Sequence, residues 1–236
     1  NPRLPPASRP RGSSSPDESE ARHMGSRWFE HAFGFPETRN NYQAARAAFG
    51  CAVDDDDPES ASVPSPCPPL ALTAGGRTFH VGPFEDPQVS ELRTRVRAMN
   101  QIAGLGGLSF RNMAGEARSM HLDAASSGAV FQVASQFNCL EMVGPDVRPE
   151  DGVTRYCYDR TQGPACAIAC PAGTVYRNYF WAERGQAGGS EMQLDTARDA
   201  AEAVGNAAHN YWRMQNGYLL PTRAGSLGEL AHRLHS

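Results

Sequence analysis

An α/β chain with a mixed sheet flanked by helices is the fold class that this sequence predicts, on three observations. Two apolar, β-prone runs, residues 129–134 and 153–158, each end in small and amide side chains, Ser135 to Asn138 and Thr161 to Pro164. A Gly163-Pro164 pair then opens a small-residue apolar run, as at a helix start, where proline fits the first turn. Finally, Leu194, Ala197, Ala201, Val204, Ala208 and Trp212 recur at three- and four-residue intervals, the period of a helix with one apolar face. Alternation of strand, loop and helix through the centre favours an α/β arrangement, and 236 residues suffice for one substantial core or two small ones.

In chain order, residues 1–26 hold prolines, serines and alternating charges but almost no large apolar side chain, so they are expected to be a disordered tail. Residues 27–69 read as a docking segment and linker. Trp28, Phe29, Phe33 and Phe35 precede a helix expected around Tyr42 to Phe49. Asp54 to Asp57 read as a solvated charge run, followed by a Pro- and Ser-rich stretch from Pro58 to Pro69. Residues 70–236 form the expected α/β domain. Thr78 to Gly82 reads as a strand. Pro87 to Asn100 reads as a helix with Val89, Leu92, Val96 and Met99 on one face and Arg93, Arg95 and Arg97 largely off it. Ala103 to Gly107 is glycine-rich but lacks the full spacing of a phosphate loop and reads as a turn. Thr174 to Trp181 alternates aromatic and polar residues, which on a strand puts Tyr176, Asn178 and Phe180 on one face and Arg177, Tyr179 and Trp181 on the other. Asp195 to Arg213 reads as a long helix with Asp195 at its dipole-favoured start, and Leu227 to Leu234 as a last short helix.

Composition removes several function classes. The net charge of -4 does not suit nucleic acid as a partner. All 22 basic residues are arginines, so no Schiff-base lysine, pyridoxal phosphate anchor or P-loop lysine exists in this sequence. The six cysteines lack CxxC spacing, which suits reduced thiols, and no apolar run reaches the roughly 20 residues that span a bilayer. A soluble cytoplasmic protein without a membrane partner is therefore expected, its oligomeric state open. His209, His232 and His235 show no HExxH or Cys/His clustering and there is no GxSxG elbow, so neither a metal nor a cofactor is assigned.

The chemistry gathers in the central segment. Gln162, Gly163 and Pro164 at a helix start make an electropositive cradle for a phosphate, a pyrophosphate or an oxyanion. Cys166 falls near that helix start, where the dipole would lower a thiol pKa, but no histidine lies between His121 and His209. Arg177 can meet a phosphate or carboxylate, and Tyr176 or Phe180 can stack a planar ring. Asp159 and Glu141 are carboxylates able to activate water. Ser135, Gln136 and Asn138 close the first apolar run with hydrogen-bonding groups.

The stretch Gly115 to Asp123, followed by Ala129 to Asn138, resembles the opening of a macrodomain, in which a Gly-Asp-Ile-Thr segment leads to a strand ending in Asn-Ala-Ala-Asn that holds ADP-ribose. The resemblance covers about 25 residues. It implies that Glu116 stands where that family's adenine-contacting aspartate stands and Asn138 where the last asparagine meets the distal ribose. Ser135 replaces the first asparagine, and Glu141 to Pro145 take the place of the glycine-rich loop, so phosphate binding falls to Thr161 to Pro164. The leading expectation is a macrodomain-like protein that binds a nucleotide diphosphate such as ADP-ribose and acts as an ADP-ribosyl hydrolase, with Asp159 and Asn138 in catalysis. Ser135, Gln136, Gln162, Gly163, Pro164, Tyr176, Arg177, Asn178 and Phe180 would line the ligand. The alternatives are an amidase or transferase with Cys166 as nucleophile, and a non-enzymatic interaction module.

Overall fold

The computed structural model describes residues 27–56, 67–99, 109–132, 135–159, 162–181, 193–206 and 208–235. The tail expected over 1–26, the glycine-rich 103–107 turn, Thr161 and most of the Pro/Ser-rich stretch lie outside the described residues. What is described is a mixed α/β protein with small antiparallel sheets.

Helix α1 (Trp28–Phe33) buries Phe29 and Phe33, one turn apart on the same face, and ends at Gly34, whose φ of 87° supplies the left-handed stop. Helix α2 (Tyr42–Ala47) buries Tyr42 and Ala45 and delivers Phe49 to the core just before strand β1 (Gly50–Val53). Strands β1, β2 (Pro69–Ala74) and β3 (Arg77–Pro83) form an antiparallel sheet in sequence order. Gly75 and Gly76, both at positive φ, turn β2 into β3. Phe29, Phe33, Phe49, Leu72, Val153, Tyr156, Val175 and Tyr179 meet in one core cluster, with Phe79 packed on Phe33 at 5.0 Å. Each such buried large side chain stabilises the fold by about 1.5–3 kcal/mol. Residues 27–53 therefore share their core with residues 140–181.

Helix α3 (Val89–Ala98) lies where the sequence places it, pinned locally by Gln88 N–H on Glu91 Oε2 at 2.9 Å and by Arg95 on Glu85. Its apolar stripe Val89, Leu92, Val96 and Met99 is exposed. Helix α4 (Ala117–Leu122) follows, then α5 (Gln162–Ala169) and α6 (Pro171–Tyr179), which are joined by Thr174 Oγ1 donating to the Ala167 carbonyl at 2.6 Å. Helix α7 (Arg198–Ala203), the hairpin β4 (Trp212–Gln215) and β5 (Tyr218–Pro221), and helix α8 (Ser226–His235) complete the chain. No helix among the described residues is long and apolar enough to cross a membrane.

Several elements differ from the sequence reading. In place of one mixed sheet, two separate antiparallel sheets are found among the described residues. Residues 129–132 are irregular, with Val130 96% exposed, and 133–134 lie outside the described residues. Thr154–Tyr158 forms a 3-10 helix, not a strand, because Glu37 accepts the Val153 and Thr154 N–H groups from 116 and 117 residues away and so caps the turn. Residues 174–179 belong to α6. Pro171 starts that helix, and Thr174, Val175, Asn178 and Tyr179 are buried at helical spacing, so packing overrides the β-prone aromatics. The long helix expected from Asp195 stops at Ala203, since Gly205 takes a φ of 75° and Asn206 returns its N–H to the Ala201 carbonyl at 2.7 Å. Asn206 then accepts from Tyr211 and Trp212 N–H and starts β4. The described part of the aspartate run is not all solvated: Asp54 is buried, with its carboxylate bonded to His80 Nδ1.

Glu37 is the tie between the two halves of the core. Its buried carboxylate accepts from Val153 N–H at 3.0 Å, Thr154 N–H at 2.5 Å and the Tyr179 hydroxyl. Gly152, at φ 77°, lets the carboxyl approach, because a Cβ there would lie 2.6 Å from Glu37 Cδ. Replacing Glu37 with alanine is expected to lower stability by about 3–5 kcal/mol by leaving three donors unpaired, two of them buried. Glu37→Gln, which keeps one acceptor oxygen, should lose less. Urea unfolding midpoints check both, and an unchanged midpoint for Glu37→Ala contradicts the role.

Candidate active site

Residues 135–143 fold back on themselves and carry most of the chemistry. Ser135 Oγ donates to the Leu140 carbonyl at 3.1 Å, and Asn138 Oδ1 accepts the Leu140 N–H at 3.1 Å. Between them Cys139 takes a φ of 59°, unusual for a residue with a side chain. Arg177 Nη1, reaching from α6, donates to the Cys139 carbonyl at 2.8 Å. The Tyr156 hydroxyl, from the core, accepts the Glu141 N–H at 3.0 Å. The β4–β5 hairpin closes the other side. Phe137 N–H donates to the Gly217 carbonyl at 2.9 Å, while Gln136 Nε2 and the Tyr218 hydroxyl both donate to the Met142 carbonyl.

These contacts leave a cleft of about 330 Å³, lined by Ser135, Gln136, Phe137, Glu141, Met142, Val143, Asp159, Pro164, Gly217, Tyr218 and Leu219. A wider recess of about 620 Å³ lies beside α2, between Arg39, Tyr42, Arg148 and Glu150, but Arg39 there is paired with Asp151 at 2.5 Å and none of the sequence-predicted site residues lines it.

Glu141 dominates the cleft. Its buried carboxyl lies against Gly163 at the start of α5, where a Cβ would overlap it, so glycine is required at that position. The electropositive cradle expected at Gly163 and Pro164 is thus filled by the chain's own carboxyl. Burial pushes the Glu141 pKa up to about 7; the nearby Asp159 charge adds a little, while Arg177 and a hydrogen bond from Ser135 pull it down.

The structure brings Ser135, Gln136, Glu141, Asp159 and Pro164 to this cleft, with Gly163 behind Glu141. Other residues singled out in the sequence are placed elsewhere. Asn138 is fully buried, with its amide hydrogen-bonded to Gln193 Oε1 at 2.9 Å. Glu116 stands just before α4 at the surface, makes no side-chain cap bond, and accepts from Ser119 Oγ at 3.1 Å. In α6, Tyr176 packs on Phe84 and Asn178 donates to the Pro149 carbonyl; Phe180, just past its end, packs on Phe49. Gln162 is the first residue of α5. Cys166 is the fifth residue of α5, past the free N–H groups of the first turn, so the helix start does not activate it; burial, and then Glu141, push its thiol pKa up rather than down. The missing histidine is supplied from α4, with His121 Nε2 3.2 Å from Cys166 Sγ.

Sequence reasoning missed Phe137, Gly217 and Tyr218. The signal was present: Asn216-Gly217 between two short apolar runs marks a two-residue hairpin turn, and both residues have positive φ, 46° and 80°. Among the described residues no group of three or more His, Cys, Asp or Glu could hold a metal ion.

No family model, curated protein or solved structure matches the chain.

Because Glu141 is raised in the folded state, the folded chain holds this proton more tightly than the unfolded chain. Its contribution is fully present below the ordinary value of 4.5 and is lost as pH rises through about 7, above which the ionised carboxylate is a net cost. Glu141→Gln is therefore expected to be more stable than wild type at pH 8, by about 1–2 kcal/mol after solvent screening, and to converge with it near pH 4. Thermal melting across that range checks it, and a gap that does not change with pH contradicts it.

Proposed function

We propose that the cleft binds a nucleoside diphosphate ribose of the ADP-ribose type and hydrolyses a ribosyl bond with Glu141 as its proton donor. The observation that supports this reading is two carboxyls lining one cleft, Asp159 and Glu141, the second buried so that desolvation raises its pKa. Two carboxyl groups in different environments suit cleavage of a glycosidic bond, in which the leaving group must gain a proton and water must lose one. Glu141 gives its proton to the departing group as the bond to the ribosyl C1″ breaks. Asp159 takes a proton from the water that forms the new C1″–O bond. Phe137 and Tyr218 offer ring surfaces to a base.

The same carboxyl governs anion binding. A diphosphate in the cleft lies beside this carboxyl: when Glu141 is neutral it adds no repulsion, and when Glu141 is ionised the two repel. ADP-ribose is thus expected to bind several-fold more tightly at pH 6 than at pH 8. Glu141→Gln should remove that pH dependence, keep the affinity and lower hydrolysis by about 100-fold or more. Calorimetry with ADP-ribose, ADP and NAD at both pH values measures the first, and release of ribosylated product the second. Absence of heat with all three on folded protein overturns the reading.

A further inference from the structure

We infer that Cys166 and His121 form a second reactive centre, a thiol–imidazole pair that accepts an acyl group from an activated ester or thioester. The two residues are 45 positions apart and come from α5 and α4, yet Cys166 Sγ and His121 Nε2 lie 3.2 Å apart, within reach for proton transfer. The imidazole is held by stacking on Phe131, with ring centroids 4.3 Å apart and planes at 29°. His121 is exposed and Cys166 half-buried, so the pair can be reached from solvent. Neither residue lines the carboxyl cleft. The chain neighbours of the stacked rings, Leu122 and Val130, are 77% and 96% exposed and present apolar surface of the kind an acyl chain contacts.

Among the described residues, His121 from α4 contacts the thiol and the Glu141 charge from the 135–143 segment acts on it. Burial and Glu141 both oppose ionisation of the thiol, so Cys166 is not a standing thiolate, and its proton must move to the imidazole as the new bond forms. In that step His121 Nε2 takes the Sγ proton while sulfur attacks the carbonyl carbon, and the S–C bond forms. The bond from carbon to the ester oxygen or thioester sulfur breaks, and the leaving group departs with the electron pair and receives the proton from the imidazolium. Water then hydrolyses the enzyme thioester and restores the thiol. Cys51 and Cys170, the exposed thiols, have no imidazole at hydrogen-bond distance among the described residues and serve as internal references.

The test uses the full chain, with p-nitrophenyl acetate as acyl donor and iodoacetamide as thiol probe, both read by site-resolved mass spectrometry. Acetyl is expected on Cys166. Alkylation at pH 7 is expected to be about tenfold faster at Cys166 than at Cys51 or Cys170. His121→Gln should erase that advantage at pH 7 and leave the rate at pH 9 nearly unchanged, a pH-profile change that a purely structural role would not produce. Because His121 is exposed, the variant should fold, and His121→Asn provides a second test with melting as control. Cys166→Ser should abolish acetylation while ADP-ribose binding persists, which separates failure here from failure of the cleft reading. Labelling of Cys166 at the pace of Cys51, or a rate at pH 7 indifferent to both His121 variants, overturns the proposal.

Discussion

A buried carboxylate with three donors converging on it organises this molecule. Glu37 lies in the connection between α1 and α2, yet its partners are the Val153 and Thr154 backbone and the Tyr179 hydroxyl. A carboxyl group in an apolar interior is tolerated only when hydrogen bonds replace its water, and here they come from a turn and a helix more than a hundred residues later. The same seam is stitched by Trp28 Nε1 on the Thr154 carbonyl at 2.9 Å, the Tyr42 hydroxyl on the Asn178 carbonyl at 3.1 Å and Arg46 on the Tyr179 carbonyl at 3.0 Å. Tyr42 and Tyr179 stack at 4.5 Å across it, and burial pushes both phenols up, so they remain neutral donors.

The candidate site depends on that seam. Tyr156 lies in the 3-10 helix that Glu37 caps, and its hydroxyl fixes the Glu141 backbone; Arg177 belongs to the helix that Tyr42 and Arg46 hold down. Glu141 is therefore positioned by the core rather than by its own loop. Its carboxyl is denied water on one side by Gly163 and Pro164 and is left open to the cleft on the other, the circumstance that raises a carboxyl pKa to the working range of acid–base chemistry. Gly163 is small because Glu141 must approach the start of α5, and Gly217 is small because Asn138 and Gln136 press on the hairpin turn, with Asn138 Cγ 2.5 Å from where a Cβ would stand.

Elements with a strong local signal were legible in the sequence. Strand β3 and helices α2, α3 and α8 follow their periodicity, and the Gly163-Pro164 start of α5 is where proline chemistry puts it. The misread elements share one feature, a local preference overruled from a distance. Residues 153–158 are β-prone but become a 3-10 turn because Glu37 supplies the cap. Residues 174–179 alternate like a strand but pack as a helix against Phe49 and Tyr42. The break after Ala203 was a different failure, since Gly205-Asn206 is a stop signal that an alanine-rich period hides.

For the site, the residue types that gather were visible in one dimension, because Ser135, Gln136, Glu141, Asp159 and Pro164 stand in one stretch of chain and carry hydrogen-bonding or titratable groups. The sequence by itself determined the absence of lysine chemistry, the mixed α/β character and the segment where polar side chains gather, since these depend only on composition and local period. Only the tertiary structure decided that Glu141, not a ligand, fills the start of α5, that Asn138 is buried within the scaffold, and that His121 reaches Cys166. Those three outcomes depend on distances between elements far apart in the chain. Such distances are set by how the aromatic core and the Glu37 carboxylate pack, which no local pattern encodes.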